Sequence, residues 1–318
     1  MRHFNIGIIG PGRVAHRFAK ASLQLPAINL HSVFSKDIEA ATAFAALYKQ
    51  DTPITASTDI HAFLADPELH AVIISTPDIH HAEYAMLAAK NNKHLLIEKP
   101  LCTEIEEATA LVDLIHTSNI TCSVGYHLRW HAGFRKLASY LHTDFSGDIH
   151  HIDIRWGHEF IQEAKWRTSF STSKWWSLTT LGTHLVDIVR WYCLPSCGEV
   201  VESIITTTNA RYHTTDETSF MSMRFQNGAT ANINTSILSH FPLDLSIKTS
   251  EKTITGNNLT GSFDERIIMI GDEQLAFECK EDLYEKELMD LYTSVNQGKL
   301  PEVTANEGLK NIQCLIGF

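Results

Sequence analysis

The sequence lacks the features that mark membrane and secreted proteins. No apolar run approaches the roughly 20 residues that a membrane-spanning helix needs. Residues 1–10 have no separate basic region, apolar core and cleavage site of the kind that forms a signal peptide, and they are typical of a first strand instead. The six cysteines are scattered without a disulfide framework, which suits a reducing compartment. We therefore expect a cytoplasmic protein without membrane contact.

Positive charge and metal-ligand patterns are also scarce. The chain has 26 Lys and Arg residues against 37 Asp and Glu residues, a net charge of −11, which disfavours a surface that binds nucleic acid. Cys193 and Cys197 stand close together, but no second pair of ligands accompanies them. We therefore expect neither a nucleic-acid partner nor a metal site. The 318 residues are long enough for two domains.

The first part of the chain alternates short apolar strands with helical patterns, which is typical of a parallel sheet covered on both faces. After Gly125 several strands follow one another, and Asn227-Gly228 predicts a hairpin between two of them. We predict an α/β protein with an N-terminal Rossmann parallel sheet in residues 1–122. Residues 123–318 are predicted to form a C-terminal α+β domain built on a large, mostly antiparallel open sheet.

The turn after the first predicted strand carries the G-x-G-x-x-A fingerprint of dinucleotide-binding proteins. The glycines permit a tight turn and a close approach of the backbone to a pyrophosphate, which the free N–H groups of the following helix then bind. The residues predicted to hold the cofactor here are Gly10, Pro11, Gly12, Arg13 and Val14.

The end of the second predicted strand bears on the choice of cofactor. Ser35 and Lys36 stand about twenty residues after the fingerprint, where an Asp or Glu would hold the ribose 2′-hydroxyl of NAD. A hydroxyl and a cation suit a 2′-phosphate instead, and Asp37 is expected to open the next helix. We therefore predict NADP as the preferred cofactor and NAD as the alternative. An ordinary exposed loop would also explain Lys36.

The fifth predicted strand ends in Glu98, Lys99 and Pro100. Proline has no backbone N–H and a fixed φ, so it ends the strand and turns the chain. Open α/β sheets bind their ligands outside the carboxyl ends of the strands. Lys99 is thus placed to meet a ligand, although a surface lysine just past a strand is the commoner case.

Four segments resemble the Gfo/Idh/MocA family, named for glucose–fructose oxidoreductase, inositol dehydrogenase and a rhizopine catabolism protein. They are residues 7–15, 75–83, 93–100 and 181–187, and their order and spacing match as well. The resemblance covers essentially the full chain. It implies hydride transfer between a nicotinamide and a secondary alcohol of a sugar, nucleotide sugar or cyclic polyol. It also implies a homodimer or homotetramer formed through the C-terminal sheet.

The resemblance implies roles for individual residues. Lys99 would contact the reacting hydroxyl and the nicotinamide ribose, His184 would be the general acid/base, and Asp187, one helical turn on, would orient His184. Further cofactor contacts would be Ser75, Thr76, Pro77, His81, Glu98 and His127. Substrate contacts would be Tyr126, Arg129, Trp166, Arg167, Thr180 and His184. Helix capping would also explain His81, and core packing or a solvated charge would also explain the aromatic and arginine residues.

The sequence departs from the family pattern at one catalytic position. The family usually has an aspartate four residues before the histidine, where this chain has Thr180. A hydroxyl cannot carry the charge of a carboxylate, so Lys99 and His184 would have to carry the proton chemistry between them. Two other functions stay open: a catalytically inert dinucleotide-binding sensor or partner protein, and a glycoside hydrolase that oxidises its substrate transiently with tightly held NAD.

Overall fold

The computed structural model describes residues 4–48, 50, 52–145, 147–159, 167, 173–211, 215–261, 266–278 and 282–318. Its contacts divide the chain into two compact units. The first comprises residues 1–127 and 281–309, and the second comprises residues 128–280 and 310–318. A single division after residue 122 was predicted, so the structure differs in returning a late segment of the chain to the first unit.

The first unit is built on a six-stranded sheet in the order β3-β2-β1-β4-β5-β6. Its strands are β1 (Phe4–Ile9), β2 (Ile28–Phe34), β3 (Thr55–Ser57), β4 (Ala71–Ile74), β5 (His94–Glu98) and β6 (Cys122–Gly125). All neighbouring strands run parallel, which confirms the predicted Rossmann sheet. The order of the strands reverses between β1 and β4, the point where open α/β sheets bind their ligands.

Helices cover this sheet and connect its strands. They are α1 (Ala15–Leu23), α2 (Ile38–Leu47), α3 (Ile60–Ala65), α4 (His81–Lys90) and α5 (Ile105–Thr117). β4 is buried along its whole length because helices lie on both faces of the sheet. Asp37 and Asp59 each accept two backbone N–H groups at the starts of α2 and α3, which satisfies donors that a helix start leaves without an internal partner.

The second unit is built on an eight-stranded sheet in the order β14-β13-β12-β11-β7-β10-β9-β8. Its strands are β7 (Ile149–Gly157), β8 (Val200–Thr208), β9 (Thr218–Phe225), β10 (Thr230–Ser236), β11 (Phe241–Thr249), β12 (Thr253–Asn257), β13 (Ile267–Ile270) and β14 (Glu273–Gln274). β7 and β10 pair in parallel, and the other neighbours are antiparallel. The predicted hairpin joins β9 to β10, with Gly228 at a φ of 91°.

Two helices of the second unit, α6 (Ala132–Ser139) and α7 (Thr183–Cys197), accompany this sheet, and α8 (Leu283–Gln297) and α9 (Ala305–Ile316) end the chain. α8 belongs to the first unit because Leu288 and Leu291 are buried in one core with Phe18 of α1. The stripe of apolar residues on α8 predicts a helix but not the sheet that it covers. Among the described helices, none has the length and apolar character needed to cross a membrane.

Candidate active site

The turn between β1 and α1 lies at the carboxyl edge of the parallel sheet and depends on Gly10. This residue has a φ of 89°, and a Cβ atom on it would lie 2.9 Å from Thr76 Cγ2 and 3.0 Å from the Thr76 backbone nitrogen. Only glycine fits such a position. The Ser75 hydroxyl donates to the Gly10 carbonyl at 2.9 Å. The turn is therefore packed against the loop that follows β4.

The neighbouring residues of this turn form an open cradle. Around a Cβ built on Gly12, the nearest atom is the Ser75 carbonyl oxygen at 3.8 Å, and both Gly12 and Arg13 are exposed. α1 begins at Ala15, and Val14 before it supplies no side-chain cap. The first N–H groups of α1 therefore remain available to an anion at the carboxyl edge. A dinucleotide pyrophosphate fits this donor set.

The loop after β2 contains the residues that were predicted to select the cofactor. Lys36 is exposed and Ser35 is half-buried. Asp37 accepts the backbone N–H groups of Glu39 at 2.9 Å and Ala40 at 3.3 Å, which confirms that it opens α2. The Asp37 carboxylate binds its own helix through Oδ1, and Lys36 provides an exposed positive charge at this strand end.

Lys99 follows β5 at the same edge of the sheet. It is half-buried, its peptide bond to Pro100 is cis, and its backbone N–H donates to Oε2 of the buried Glu98 at 3.2 Å. His81 lies close by, with Nδ1 2.8 Å from the Pro100 carbonyl oxygen and Nε2 3.1 Å from the Thr76 carbonyl oxygen. The structure therefore brings Thr76, His81, Glu98 and Lys99 together within the first unit.

Two residues of α8 join this group, and sequence reasoning missed both. Tyr284 stacks on the ring of His127 with 5.3 Å between centroids. Glu287 is 2% exposed, and among the described residues neither of its carboxyl oxygens has a hydrogen-bond partner. Burial, followed by the nearby charge of Glu98, raises the pKa of both Glu287 and Tyr284. No sequence signal marks these residues, because only the folded chain brings α8 to β5.

Glu287→Gln is expected to stabilise the protein increasingly as the pH rises. The folded-state pKa of Glu287 lies well above its usual value of 4.5. The raised pKa therefore stabilises the folded wild-type protein fully below that usual value. This contribution to the free energy of unfolding is lost as the pH rises toward the folded-state pKa. Between these two pH values, the free energy of unfolding of the variant should rise relative to that of wild type by about 1.4 kcal/mol per pH unit. Thermal unfolding at about pH 5 and about pH 8 measures the gain.

Glu285→Gln is the matched control on the same helix. Glu285 lies in the first turn of α8, where a negative charge stabilises a helix by about 0.3–1 kcal/mol. Neutralising Glu285 should therefore lower the stability slightly, which is the opposite sign. A Glu287→Gln effect that stays constant over the pH range would show that Glu287 titrates as an ordinary carboxyl.

In the second unit, His184 and Asp187 lie one turn apart on α7, and both are buried. Arg129 donates to the Asp187 carboxylate through Nε and Nη2, both at 2.8 Å. Asn311 Nδ2 donates to the same carboxylate at 2.9 Å, and Asn311 Oδ1 accepts Arg190 Nη1 at 2.7 Å. Asp187 was predicted to orient His184. The structure pairs the charge of Asp187 with Arg129, so Asp187 anchors α7 to Arg129 and to α9. Its role toward His184 stays a prediction.

Two of the predicted substrate contacts are core residues in this structure. Tyr126 is 0% exposed and Arg129 is 3% exposed. The Arg129 guanidinium also lies over the ring of Trp191, 5.3 Å from its centroid. Both substrate contacts stay predictions, because His184, which the family resemblance makes the acid/base, is as little exposed as Arg129. Tyr126 packs in the core, and Arg129 neutralises Asp187.

Thr180 is half-buried in a short π-helical turn, Leu178–Gly182, that leads into α7. Arg167 Nη1 donates to Thr179 Oγ1 at 3.0 Å, and the Arg167 carbonyl accepts the Thr215 hydroxyl at 2.9 Å. Arg167 therefore lies next to Thr180 but is engaged by protein hydroxyls. Trp166 lies outside the described residues. His184 itself is 3% exposed, with its ring centroid 6.1 Å from that of Trp156.

The segment before α7 is held by Asp216, which the sequence did not mark. Its carboxylate accepts the N–H groups of Trp176 at 2.6 Å and Leu178 at 2.9 Å, together with the hydroxyls of Ser177 and Ser219. A carboxylate that accepts several donors of one segment acts as a helix cap does. Asp216 therefore fixes the approach to the helix that carries His184.

Comparison with known proteins places both halves of the chain in one family. Residues 4–126 match an oxidoreductase family model with an NAD-binding Rossmann fold, and residues 134–255 match the C-terminal domain of the GFO/IDH/MocA family. Levoglucosan dehydrogenase of Pseudarthrobacter phenanthrenivorans is 28% identical over 204 residues, which are 60% of this chain and 51% of that protein. The chain thus spans about half the length of this curated relative.

Two solved structures share the fold over nearly the whole chain. KijD10, a 3-ketoreductase from Actinomadura kijaniata in complex with NADP and TDP-benzene, has a TM-score of 0.86 at 16% identity and covers 99% of this chain and 96% of its own. A levoglucosan dehydrogenase in complex with NADH and levoglucosan has a TM-score of 0.81 at 19% identity, with 98% and 94% covered. Because the two family models together span well over half of the chain, the protein belongs to the Gfo/Idh/MocA family of oxidoreductases.

Proposed function

We propose that this protein is an NAD(P)-dependent oxidoreductase. It transfers hydride between the nicotinamide and a secondary hydroxyl or carbonyl group of a sugar, nucleotide sugar or cyclic polyol. The observation that carries the proposal is the position of Lys99, which lies at the carboxyl edge of the parallel sheet and is connected through His81 to Thr76 beside the glycine turn. One edge of one unit thus has both a cradle for a dinucleotide and a cation suited to an alkoxide.

The two proposed catalytic residues have distinct tasks. When bound, the nicotinamide supplies or accepts the hydride. The Lys99 ammonium donates to the reacting oxygen and stabilises the negative charge that develops on it. His184 takes the hydroxyl proton during oxidation and returns it during reduction, since imidazole is suited to proton transfer near neutral pH. Because Thr180 carries no charge, these two residues share the proton chemistry.

The test of this function is a thermal-shift screen with NAD and NADP against a panel of sugars and nucleotide sugars. A ligand that binds the native state raises the unfolding temperature by mass action. Ligands that do so are then assayed by the absorbance of the reduced nicotinamide. Turnover with any sugar would exclude the inert dinucleotide-binding protein that Thr180 otherwise favours. A cofactor that copurifies and resists dialysis would favour the glycoside hydrolase, because a dehydrogenase must exchange its cofactor.

Lys36→Asp is expected to weaken NADP binding relative to NAD by about 10- to 100-fold, because a charge-assisted bond to the 2′-phosphate contributes about 1.5–3 kcal/mol. Our proposal that NADP is preferred rests on the exposed Lys36 ammonium and on the engagement of Asp37 by α2. Titration of both dinucleotides by calorimetry, for wild type and variant, measures the ratio of the two Kd values.

Lys90→Asp is the control for this change of charge. Lys90 is exposed in the last turn of α4, and this end of the helix lies at the opposite edge of the parallel sheet. Lys90→Asp should leave the ratio of the NADP and NAD Kd values unchanged. An unaltered ratio in Lys36→Asp would remove the basis for proposing NADP.

We also propose that the protein acts in the cytoplasm as a homodimer or homotetramer that associates through the second sheet, and that its partner is a small sugar-like substrate rather than nucleic acid. Ile204 of β8 and Phe220 of β9 are 61% and 48% exposed. Exposed and buried residues alternate along β9, whereas most of β8 is exposed or half-buried. Exposed apolar side chains on an open sheet favour a protein contact. Light scattering of the purified protein tests the oligomeric state.

A further inference from the structure

His81, the first residue of α4, lies between two loops of the candidate active site. Its Nδ1 is 2.8 Å from the carbonyl oxygen of Pro100, the residue after Lys99, and its Nε2 is 3.1 Å from the carbonyl oxygen of Thr76. Thr76 belongs to the loop that packs against Gly10. His81 is 1% exposed, so water does not compete for these contacts, and a hydrogen bond here is stronger than it would be at the surface.

The two contacts are not chemically equivalent. Both partners are carbonyl oxygens, which only accept hydrogen bonds, and a neutral imidazole has a single N–H to donate. Burial lowers the pKa of His81; the Asp78 carboxylate opposes this shift, and the Lys99 ammonium adds to it. The ring therefore carries one N–H near neutral pH. The contact with Pro100 is the shorter of the two, which favours the tautomer with the proton on Nδ1.

We propose that His81 is the positioning residue for Lys99. Its Nδ1–H holds the Pro100 carbonyl and thereby fixes the backbone from which the Lys99 side chain extends. This role rests on the proposed catalytic function of Lys99. A lysine ammonium sits on a flexible four-carbon stem, so its location depends on where its backbone is held. A displacement of about 1 Å from the productive geometry can lower a rate by about 100-fold.

Two amide variants separate the two contacts of His81. The Asn side-chain amide lies near the position of Nδ1, whereas the longer Gln side chain places its amide near Nε2. His81→Asn therefore keeps a donor for Pro100, and His81→Gln keeps one for Thr76. Hydrogen exchange measured by mass spectrometry should show faster exchange of residues 98–103 in His81→Gln. In His81→Asn, both segments should exchange as in wild type, because the Pro100 carbonyl keeps its donor and Nε2 donates no hydrogen to Thr76 in this tautomer.

His80→Asn is the matched control, because it removes an imidazole from the adjacent residue. The His80 ring is directed toward Glu83, with 3.6 Å between Nδ1 and Oε2, and its loss should change exchange in neither segment. In turnover assays, His81→Gln should lower kcat by about 10- to 100-fold. His81→Asn, which keeps the donor for Pro100, should lower kcat less than His81→Gln does.

Normal turnover by His81→Gln together with a loss in His81→Asn would overturn the proposal. So would wild-type exchange of residues 98–103 in His81→Gln, or faster exchange across the whole first unit in every His81 variant, since that pattern reports only a general loss of stability. If wild type turns over no sugar at all, the proposed function fails. The exchange experiment still decides whether His81 holds the backbone at Lys99.

Discussion

Lys99→Ala is expected to lower turnover by about 100- to 1,000-fold, the usual cost of removing a donor that stabilises a developing oxyanion. Binding of dinucleotide should persist. The cradle for the pyrophosphate is formed by the turn at Gly10 and the start of α1, where the Ser75 hydroxyl donates to the Gly10 carbonyl, whereas Lys99 follows β5. Steady-state kinetics with the substrate found by screening, combined with calorimetric titration of the cofactor, measures the two properties separately.

Two further variants sharpen this test. Lys90→Ala removes an exposed lysine at the far edge of the same sheet and should leave kcat unchanged. Lys99→Arg keeps the charge but replaces a compact ammonium with a wider planar group, so it should restore little activity. Near-normal turnover by Lys99→Ala would exclude Lys99 from the chemistry. Loss of dinucleotide binding together with turnover would instead make Lys99 a cofactor ligand.

The first unit could be predicted well because its signals are local. Short-range constraints produce the apolar runs of the parallel strands, the glycines of the first turn and the proline after Lys99. The structure confirms the parallel sheet and places the glycine turn and this proline at its carboxyl edge. Asp37 is the same kind of signal, since a helix-capping carboxylate binds N–H groups two and three residues further on. Such features need no knowledge of distant parts of the chain.

The parts that could not be predicted depend on which segments meet. Tyr284 and Glu287 join the group around Glu98 only because α8 packs on the first unit. Asp216 caps a segment about forty residues earlier in the chain. A family resemblance assigned roles to Arg129 and Asp187 one at a time, and it did not reveal that they bind each other. Which buried charges pair depends on the tertiary structure, and neither composition nor the periodicity of apolar residues predicts it.

The pairing of Arg129 with Asp187 changes how His184 is understood. His184 is one turn before Asp187 on α7, so the ion pair and Asn311 hold the backbone that carries the proposed acid/base. On the N-terminal side of His184, Asp216 holds the segment that leads into α7. The missing carboxylate at Thr180 therefore removes one possible proton carrier, but the helix still has rigid support on both sides of His184.

Arg129→Met is accordingly expected to destabilise the protein by about 3–5 kcal/mol, because it leaves the buried Asp187 charge without its cationic partner. At roughly 2–4 °C per kcal/mol for a unit of this size, the unfolding temperature should fall by about 10 °C. Because α7 also carries His184, kcat should fall as well. Calorimetric unfolding and steady-state kinetics of the variant measure both effects.

An ion pair at the surface of the second unit provides the control. Arg224 Nε lies 3.0 Å from Glu202 Oε2, with the two side chains 51% and 46% exposed, and Arg224→Met should cost about 0–1 kcal/mol. The double variant Arg129→Met/Asp187→Leu should be more stable than Arg129→Met alone, since it leaves no buried charge unpaired, yet it should not recover kcat if the pair orients His184. If Arg129→Met costs no more stability than Arg224→Met, the buried pair does not anchor α7.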